Sequence, residues 1–421
     1  MEVHMAREKT VEHYDVVVIG GGAAGMTAAI YAGRARLKTI LIEKALVGGL
    51  ATYTNEVENY PGFPNSPKGE DITNLMKEQA KKMGVEFKLT DVKTVDLKGE
   101  EKVVETFRNK YIAKTVVLAS GGRPRITKAE NEENYLFDKG ISFCATCDAA
   151  ANTDKTVVVI GSGDAAIEEG MFLTKFAKKV IVSVLHNEGK MDCNEIAKEA
   201  ALKNPKMEFI WNTTVKRFEG EGHLDTVVLR DLRTDEEIPV KCDTCFEFIG
   251  YLPNTEIFKD QIKMTRAGYI ITNEKMETNI EGVFACGDVR DKWLKQIATA
   301  VGDGAIAGYA AEKYIAESET FHNVILQKDK PGLTFIYNAV DAESREFLIE
   351  IEKIENHFAG RVVVNRVDIY KSAGIADRLN VAEFPAVILT VEGKVRERFI
   401  GELNADEIIT TLDNICLECK G

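Results

Sequence analysis

The chain contains no run approaching the roughly 20 apolar residues that span a bilayer, so no membrane helix is expected. It also lacks a surplus of positive charge. Lys and Arg number 54 against 67 Asp and Glu, a formal net charge of −13. That balance argues against nucleic acid or an anionic membrane surface as a partner. Residues 1–9, MEVHMAREK, have no apolar core of the kind a secretory leader needs, and a cytoplasmic location is the expectation. Eight cysteines are too few for a disulfide scaffold in a chain of 421 residues. Six of the eight fall into CxxC pairs, Cys144/Cys147, Cys242/Cys245 and Cys416/Cys419. In a cytosolic chain that spacing marks redox or metal chemistry more often than structural cross-linking.

What is present surrounds the first pair. In Ser142-Phe143-Cys144-Ala145-Thr146-Cys147-Asp148, two thiols stand at a spacing that closes a small disulfide and usually depresses one thiol pKa. Asp148 follows directly, placed to give or take a proton when a thiolate leaves. Upstream, Tyr14–Ile19 reads as a buried strand running into Gly20-Gly21-Gly22-Ala23-Ala24-Gly25, then an alanine-rich helix, then a strand ending at Glu43. This is a dinucleotide-binding unit: Gly20 makes the tight turn, Gly22 admits the pyrophosphate, Gly25 lets helix pack on strand, and Glu43 accepts ribose hydroxyls. Downstream, strand Thr156–Ile160 leads into Gly161-Ser162-Gly163-Asp164-Ala165-Ala166, a second such turn with alanine in the third place. Two turns imply two nucleotides, a tightly held flavin and a diffusible nicotinamide. The segment around Gly287-Asp288 then returns to the first domain, where Asp288 faces the flavin's ribityl chain and Gln296 opens a helix over its ring.

The stretches GGGAAG, TNEVENYPGFP, CATCD, GSGDAAIEE, FIGYLPNT, GVFACGDVRD and KQIATAVGDGAIAG follow one another at a familiar spacing. Over residues 14 to about 316 the chain resembles the low-molecular-weight thioredoxin reductases, which are flavin disulfide reductases. The resemblance implies an α/β protein with two Rossmann-like domains, the second inserted in the first. It implies FAD held by Gly20, Gly22, Gly25, Glu43, Gly49, Asn59, Gly121, Gly287, Asp288, Gln296 and Ile297. It also implies a Cys144–Cys147 disulfide that takes electrons from the flavin and passes them to thioredoxin or a related protein, with Asp148 as the acid. A homodimer and a rotation that turns the dithiol from flavin to partner belong to the same expectation. No metal is called for.

Three departures qualify this picture. NADPH-dependent members follow the second nucleotide strand with His-Arg-Arg and a further arginine, which clamp the 2′-phosphate. Here Val184-Leu185-His186 and Lys190 stand there, while Gly161, Gly163 and Ala166 remain and Glu188 is in reach of a ribose. The donor expected is therefore NADH or a non-nicotinamide reductant such as ferredoxin or a deazaflavin, with NADPH behind both. A basic patch at Lys175, Lys178 and Lys179 would suit an acidic protein donor. Leu50 stands where glutamine is usual, and Ala149 where glycine is. The chain also continues past the family's usual end, with strand, helix and strand, then Phe384-Pro385 before a third strand. That order resembles thioredoxin, with Pro385 as its cis-proline. Where Trp-Cys-Gly-Pro-Cys should stand the chain reads Val340-Asp341-Ala342-Glu343-Ser344, and Phe335 replaces the buried aspartate, so dithiol chemistry there is excluded.

The domains expected are a tail at 1–13, an FAD domain at 14–127 and 254–316, and an inserted nucleotide domain at 128–253. A charged linker at 317–331 and a thioredoxin-like domain at 332–421 complete the chain. Cys242/Cys245 and Cys286 read as packing residues. Cys416 and Cys419, on one face of a terminal helix and expected to be exposed there, read either as an inert helix end or as a relay accepting electrons from Cys144/Cys147. The competing reading of the whole is a non-catalytic flavin redox sensor or docking protein.

Overall fold

A computed structural model describes residues 9–54 and 57–418. The chain divides into two compact units, 1–310 and 311–421.

The first unit contains two nucleotide-type sheets. The strand Thr10–Ile19 pairs in parallel with Thr39–Glu43 on one side and with Asn109–Leu118 on the other. One edge of Asn109–Leu118 is shared by two partners: its first half takes the antiparallel strand Lys102–Thr106, and its last residues take Val283–Ala285. A segment 165 residues downstream of Leu118 thus returns to this sheet. The first strand starts inside the expected tail, at Thr10. Its first four residues are largely exposed, and their backbone groups pair with Asn109–Ile112. A run without apolar periodicity can still be a strand when a neighbour supplies the ladder.

The second sheet is fully parallel, in the order Met207–Trp211, Lys179–Val184, Thr156–Ile160, Thr244–Glu247 and Ile141–Ser142. Both of its faces are covered, as parallel sheets require. Val157, Val159, Val182 and Phe246 point to one core and Val158, Ile160, Ile181 and Cys245 to the other. Cys245 lies inside the strand and is fully buried, with Cys242 in the same cluster. Burial pushes both thiols up, Cys242 to about 12, and no group of three or more metal-ligating side chains occurs among the described residues. Cys286 is likewise fully buried. A short antiparallel ribbon, Gly122–Pro124 with Tyr251–Pro253, links the two sheet regions.

The second unit is a four-stranded sheet in the order Val363–Asp368, Gly332–Tyr337, Ala386–Val391, Lys394–Ile400. Period-2 alternation splits its residues between two layers. Leu333, Phe335, Val387 and Leu389 pack on the helices Ala342–Phe358 and Ala405–Glu418, whereas Ile336, Ala386 and Ile388 pack on Ile375, Leu379, Phe321 and Ile325. The Phe384–Pro385 bond is cis. Phe335 is fully buried and stacked on Tyr337, 5.4 Å between centroids, so the layer is aromatic where a carboxylate would serve dithiol chemistry. Two expectations need correction here. The charged stretch from 317 is not linker up to Thr320, because the helix Ile297–Thr320 continues through it and a π turn, Phe321–Ile325, follows. Ala311 and Ile315 are buried while Glu312, Lys313, Glu317 and Glu319 stand among the remaining positions, a pattern the charge count concealed. Cys416 does not sit at an exposed terminus: Ile408, Leu412, Ile415 and Cys416 form the buried stripe of the last helix, with Cys416 7% exposed. Cys419 lies outside the described residues.

Candidate active site

Glycine geometry builds the first nucleotide turn. Gly20 has φ +108°, and a Cβ there would fall 2.2 Å from the Ala119 carbonyl oxygen. A Cβ on Gly25 would fall 1.9 Å from the Gly20 carbonyl oxygen, so helix and turn touch backbone to backbone. Gly22 is different: a Cβ there would meet nothing within 4 Å, because it faces the open cavity. The Gly21 N–H donates to Glu43 Oε2 at 2.7 Å and the Ala45 N–H to Oε1 at 2.9 Å, which fixes the Glu43 carboxylate on the cavity wall with lone pairs to spare.

That cavity has a volume of about 850 Å³ and runs through the first unit. Gly20, Gly22, Glu43, Gly49 and Asn59 line one end. Gly121, Gly287, Asp288, Gln296 and Ile297 line it further on. Cys144, Cys147 and Asp148 stand in the same wall. Gly25 does not reach it and serves packing.

Cys144 and Cys147 are joined in a disulfide. The short helix Ala145–Asp148 carries the turn. Asp148 accepts a hydrogen bond from Ser142 Oγ, which in turn accepts the Cys144 N–H at 3.2 Å. Burial holds the Asp148 carboxyl above the usual carboxylate range, and the Ser142 hydroxyl offsets part of that. A carboxyl beside the disulfide that keeps its proton nearer neutrality suits a group that must protonate a thiolate. Two side chains to which the sequence assigns no role complete the geometry. Thr146 Oγ1 lies 3.4 Å from Cys144 Sγ and accepts from Gln296 Nε2 at 3.3 Å, and Gln296 Oε1 accepts from Asn59 Nδ2 at 3.1 Å. Tyr251 on the linking ribbon donates to the Phe143 carbonyl at 3.1 Å. Thr146 lies in plain view between the cysteines and Tyr251 within FIGYLPNT, but nothing in the sequence says that Tyr251 reaches Phe143, more than a hundred residues away.

The second nucleotide turn lies outside that lining, although its helix reaches the wall through Ala165 and Glu169. Gly161 has φ +126° and its Cβ position is closed by the Phe248 carbonyl oxygen at 2.7 Å and by Ala166 Cβ at 3.1 Å, while Gly163 is open. His186 pairs with Asp192 at 2.8 Å, and the same Asp192 oxygen takes Ser162 Oγ of the turn at 3.4 Å.

A glycine turn open to a cavity that also holds a disulfide and a raised carboxyl defines a nucleotide-linked disulfide oxidoreductase. Residues 14–304 match the family model described as pyridine nucleotide-disulphide oxidoreductase, and the chain belongs to that family. Residues 312–414 match the model described as thioredoxin, so the second unit is a thioredoxin-like domain. A thioredoxin reductase of Peptoclostridium acidaminophilum is 43% identical over 308 residues, 72% of this chain and 97% of that protein. The thioredoxin reductase of Bacillus subtilis is 43% identical over 314 residues, 74% and 97% of the respective chains. Among solved structures, thioredoxin reductase from Streptococcus pyogenes superimposes with a TM-score of 0.68 at 38% identity, covering 72% of this chain and 98% of that one.

The family's cofactor is FAD, and the residues present fit it. Gly22 leaves room for a pyrophosphate, Glu43 offers carboxylate lone pairs, and the buried Asp288 Oδ1 has no hydrogen-bond partner within the protein. A buried acceptor left unmatched is costly unless a ligand meets it.

Proposed function

We propose that this chain reduces the disulfide of thioredoxin or a related small protein, passing electrons through the FAD site and the Cys144–Cys147 pair. The observation that carries this reading is the shared cavity: the disulfide, Asp148 and the first nucleotide turn line one space. FAD, when bound there, supplies a carrier that takes an electron pair from a donor and yields it to the disulfide. On receiving that pair the Cys144–Cys147 bond breaks, leaving two sulfurs, and Asp148 gives its proton to one of them. The remaining thiolate attacks the partner disulfide and forms a mixed disulfide. The second cysteine then returns its proton to Asp148 and resolves the mixed disulfide, restoring the Cys144–Cys147 bond and expelling the partner, whose two thiolates take protons from solvent.

The donor in this reading is NADH or a non-nicotinamide reductant such as ferredoxin, with NADPH behind both. Support comes from the second turn. No guanidinium follows the strand Lys179–Val184 for a 2′-phosphate, and the Asp192 carboxylate stands against Ser162 of the turn. An anion there opposes the pyrophosphate that NADH and NADPH share, which favours the non-nicotinamide donor, while the missing guanidiniums alone set NADH ahead of NADPH. The working form we propose is a cytoplasmic homodimer.

The test is anaerobic flavin bleaching with NADH, NADPH and reduced ferredoxin offered separately, repeated on Cys147→Ser. NADH or ferredoxin should bleach the flavin at least tenfold faster than NADPH. Cys147→Ser should still bleach but lose thioredoxin reduction. Acceptor turnover that survived this substitution would remove the dithiol from the route.

A further inference from the structure

Behind the turn Gly287–Val289 lies a group of charges that the dithiol chemistry does not use. The Lys292 side chain is only 8% exposed, and its ammonium is 3.0 Å from Asp303 Oδ2 and 3.9 Å from Asp288 Oδ1. Asp303 is already matched: Oδ1 takes Arg290 Nη1 at 3.1 Å and Oδ2 also takes the Gly287 N–H at 3.1 Å. Arg290 is anchored from its other side by Thr272 Oγ1 at 2.9 Å. Arg290 therefore balances Asp303, and the Lys292 charge is left to be shared with Asp288. Asp288 lines the cavity, and its Oδ1 has no hydrogen-bond partner. A buried ammonium is retained only against compensating charge, and a Lys292–Asp303 pair alone would not account for its approach to an orphaned oxygen of the cofactor wall.

We propose that Lys292 is a positioning residue of the flavin site, whose buried charge keeps Asp288 a carboxylate with Oδ1 free to accept a ribityl hydroxyl of FAD. Burial by itself pushes the Asp288 carboxyl up. Lys292 and Lys295 pull it part of the way back, Asp303 pushes it up again, and the carboxyl stays above its ordinary value. Lys295 sits over the Tyr269 ring, and the Tyr251 and Tyr269 hydroxyls facing Asp288 are uncharged near neutrality. Without Lys292, Asp288 would hold its proton further into the neutral range and lose its acceptor role as pH falls.

The test is the FAD dissociation constant of the full-length protein, read by flavin fluorescence from about pH 8 down to about pH 5.5, for wild type, Lys292→Met and Lys292→Arg. Wild type and Lys292→Arg should be flat with pH. Lys292→Met should bind more weakly, with the deficit growing about tenfold toward low pH, because one proton must then leave Asp288 for each FAD bound. Wild-type affinity in Lys292→Met, or a deficit equal at every pH, overturns the proposal. Should Lys292→Met not fold, Asp303→Asn decides. It leaves Lys292 with Asp288 as its carboxylate partner, so its profile should stay flat, and a profile that steepens toward low pH overturns the proposal. Failure of the wild type to bind FAD would instead refute the cofactor site itself.

Discussion

Glu247 shows what a single residue can hold in reserve. It sits in the strand Thr244–Glu247, paired with Ile160 at the centre of the parallel sheet and 2% exposed. Burial first, and the neighbouring Glu132 carboxylate next, push it up to about 9. Glu132 is itself buried and accepts the Thr127 and Lys128 N–H groups. The folded protein therefore binds a proton at neutral pH that the unfolded chain releases above its ordinary value near 4.5. Stability falls as pH rises from that value towards 9. Glu247→Gln, neutral at every pH and of the same shape, should raise stability by about 3 kcal/mol at pH 7, with the gain shrinking as pH is lowered. Urea unfolding of both proteins across that range measures it, and a gain that did not change with pH would contradict the assignment. Nothing in the sequence announces this residue, because an acid inside FEFIG looks like an ordinary break in an apolar strand.

Among elements, the helix Ala342–Phe358 occupies the place where thioredoxin begins its redox helix, and its start has been rebuilt for capping. Asp341 Oδ2 accepts the Ser344 N–H at 2.8 Å, and the Asn338 N–H donates to the fully buried Ser344 hydroxyl at 3.4 Å. The Ser344 N–H holds the Asp341 carboxyl below the usual carboxylate range. Asp341→Ala should destabilise the thioredoxin-like domain by about 1 kcal/mol, as cap removal does, and leave flavin reduction untouched. Thermal unfolding paired with bleaching kinetics checks both halves, and altered bleaching would assign the domain a direct part in electron entry. This loss of chemistry was legible in the sequence because the motif is contiguous. The continuous helix to Thr320 was not, because Glu312, Lys313, Glu317 and Glu319 raise the charge of a segment whose inward face is only Ala311 and Ile315.

At the scale of the whole molecule, two dinucleotide turns and a disulfide were legible because each is a short string with its own backbone demands. Gly20 and Gly25 could not carry a Cβ where they stand. What connects those strings was not legible. The chain of hydrogen bonds from Asn59 through Gln296 and Thr146 to Cys144 joins residues 237 and 150 positions apart, and the Lys292 charge finds Asp303 only across a turn. Such pairings are made by the fold and have no periodicity to read. In the proposed route the cavity joins two electron stores, the flavin and the Cys144–Cys147 disulfide. Anaerobic dithionite titration of the holoenzyme tests it most directly. Wild type should take up two electron pairs for each flavin before bleaching is complete, and Cys147→Ser one. A wild-type flavin that bleaches completely with a single pair, leaving the disulfide oxidised, would contradict it.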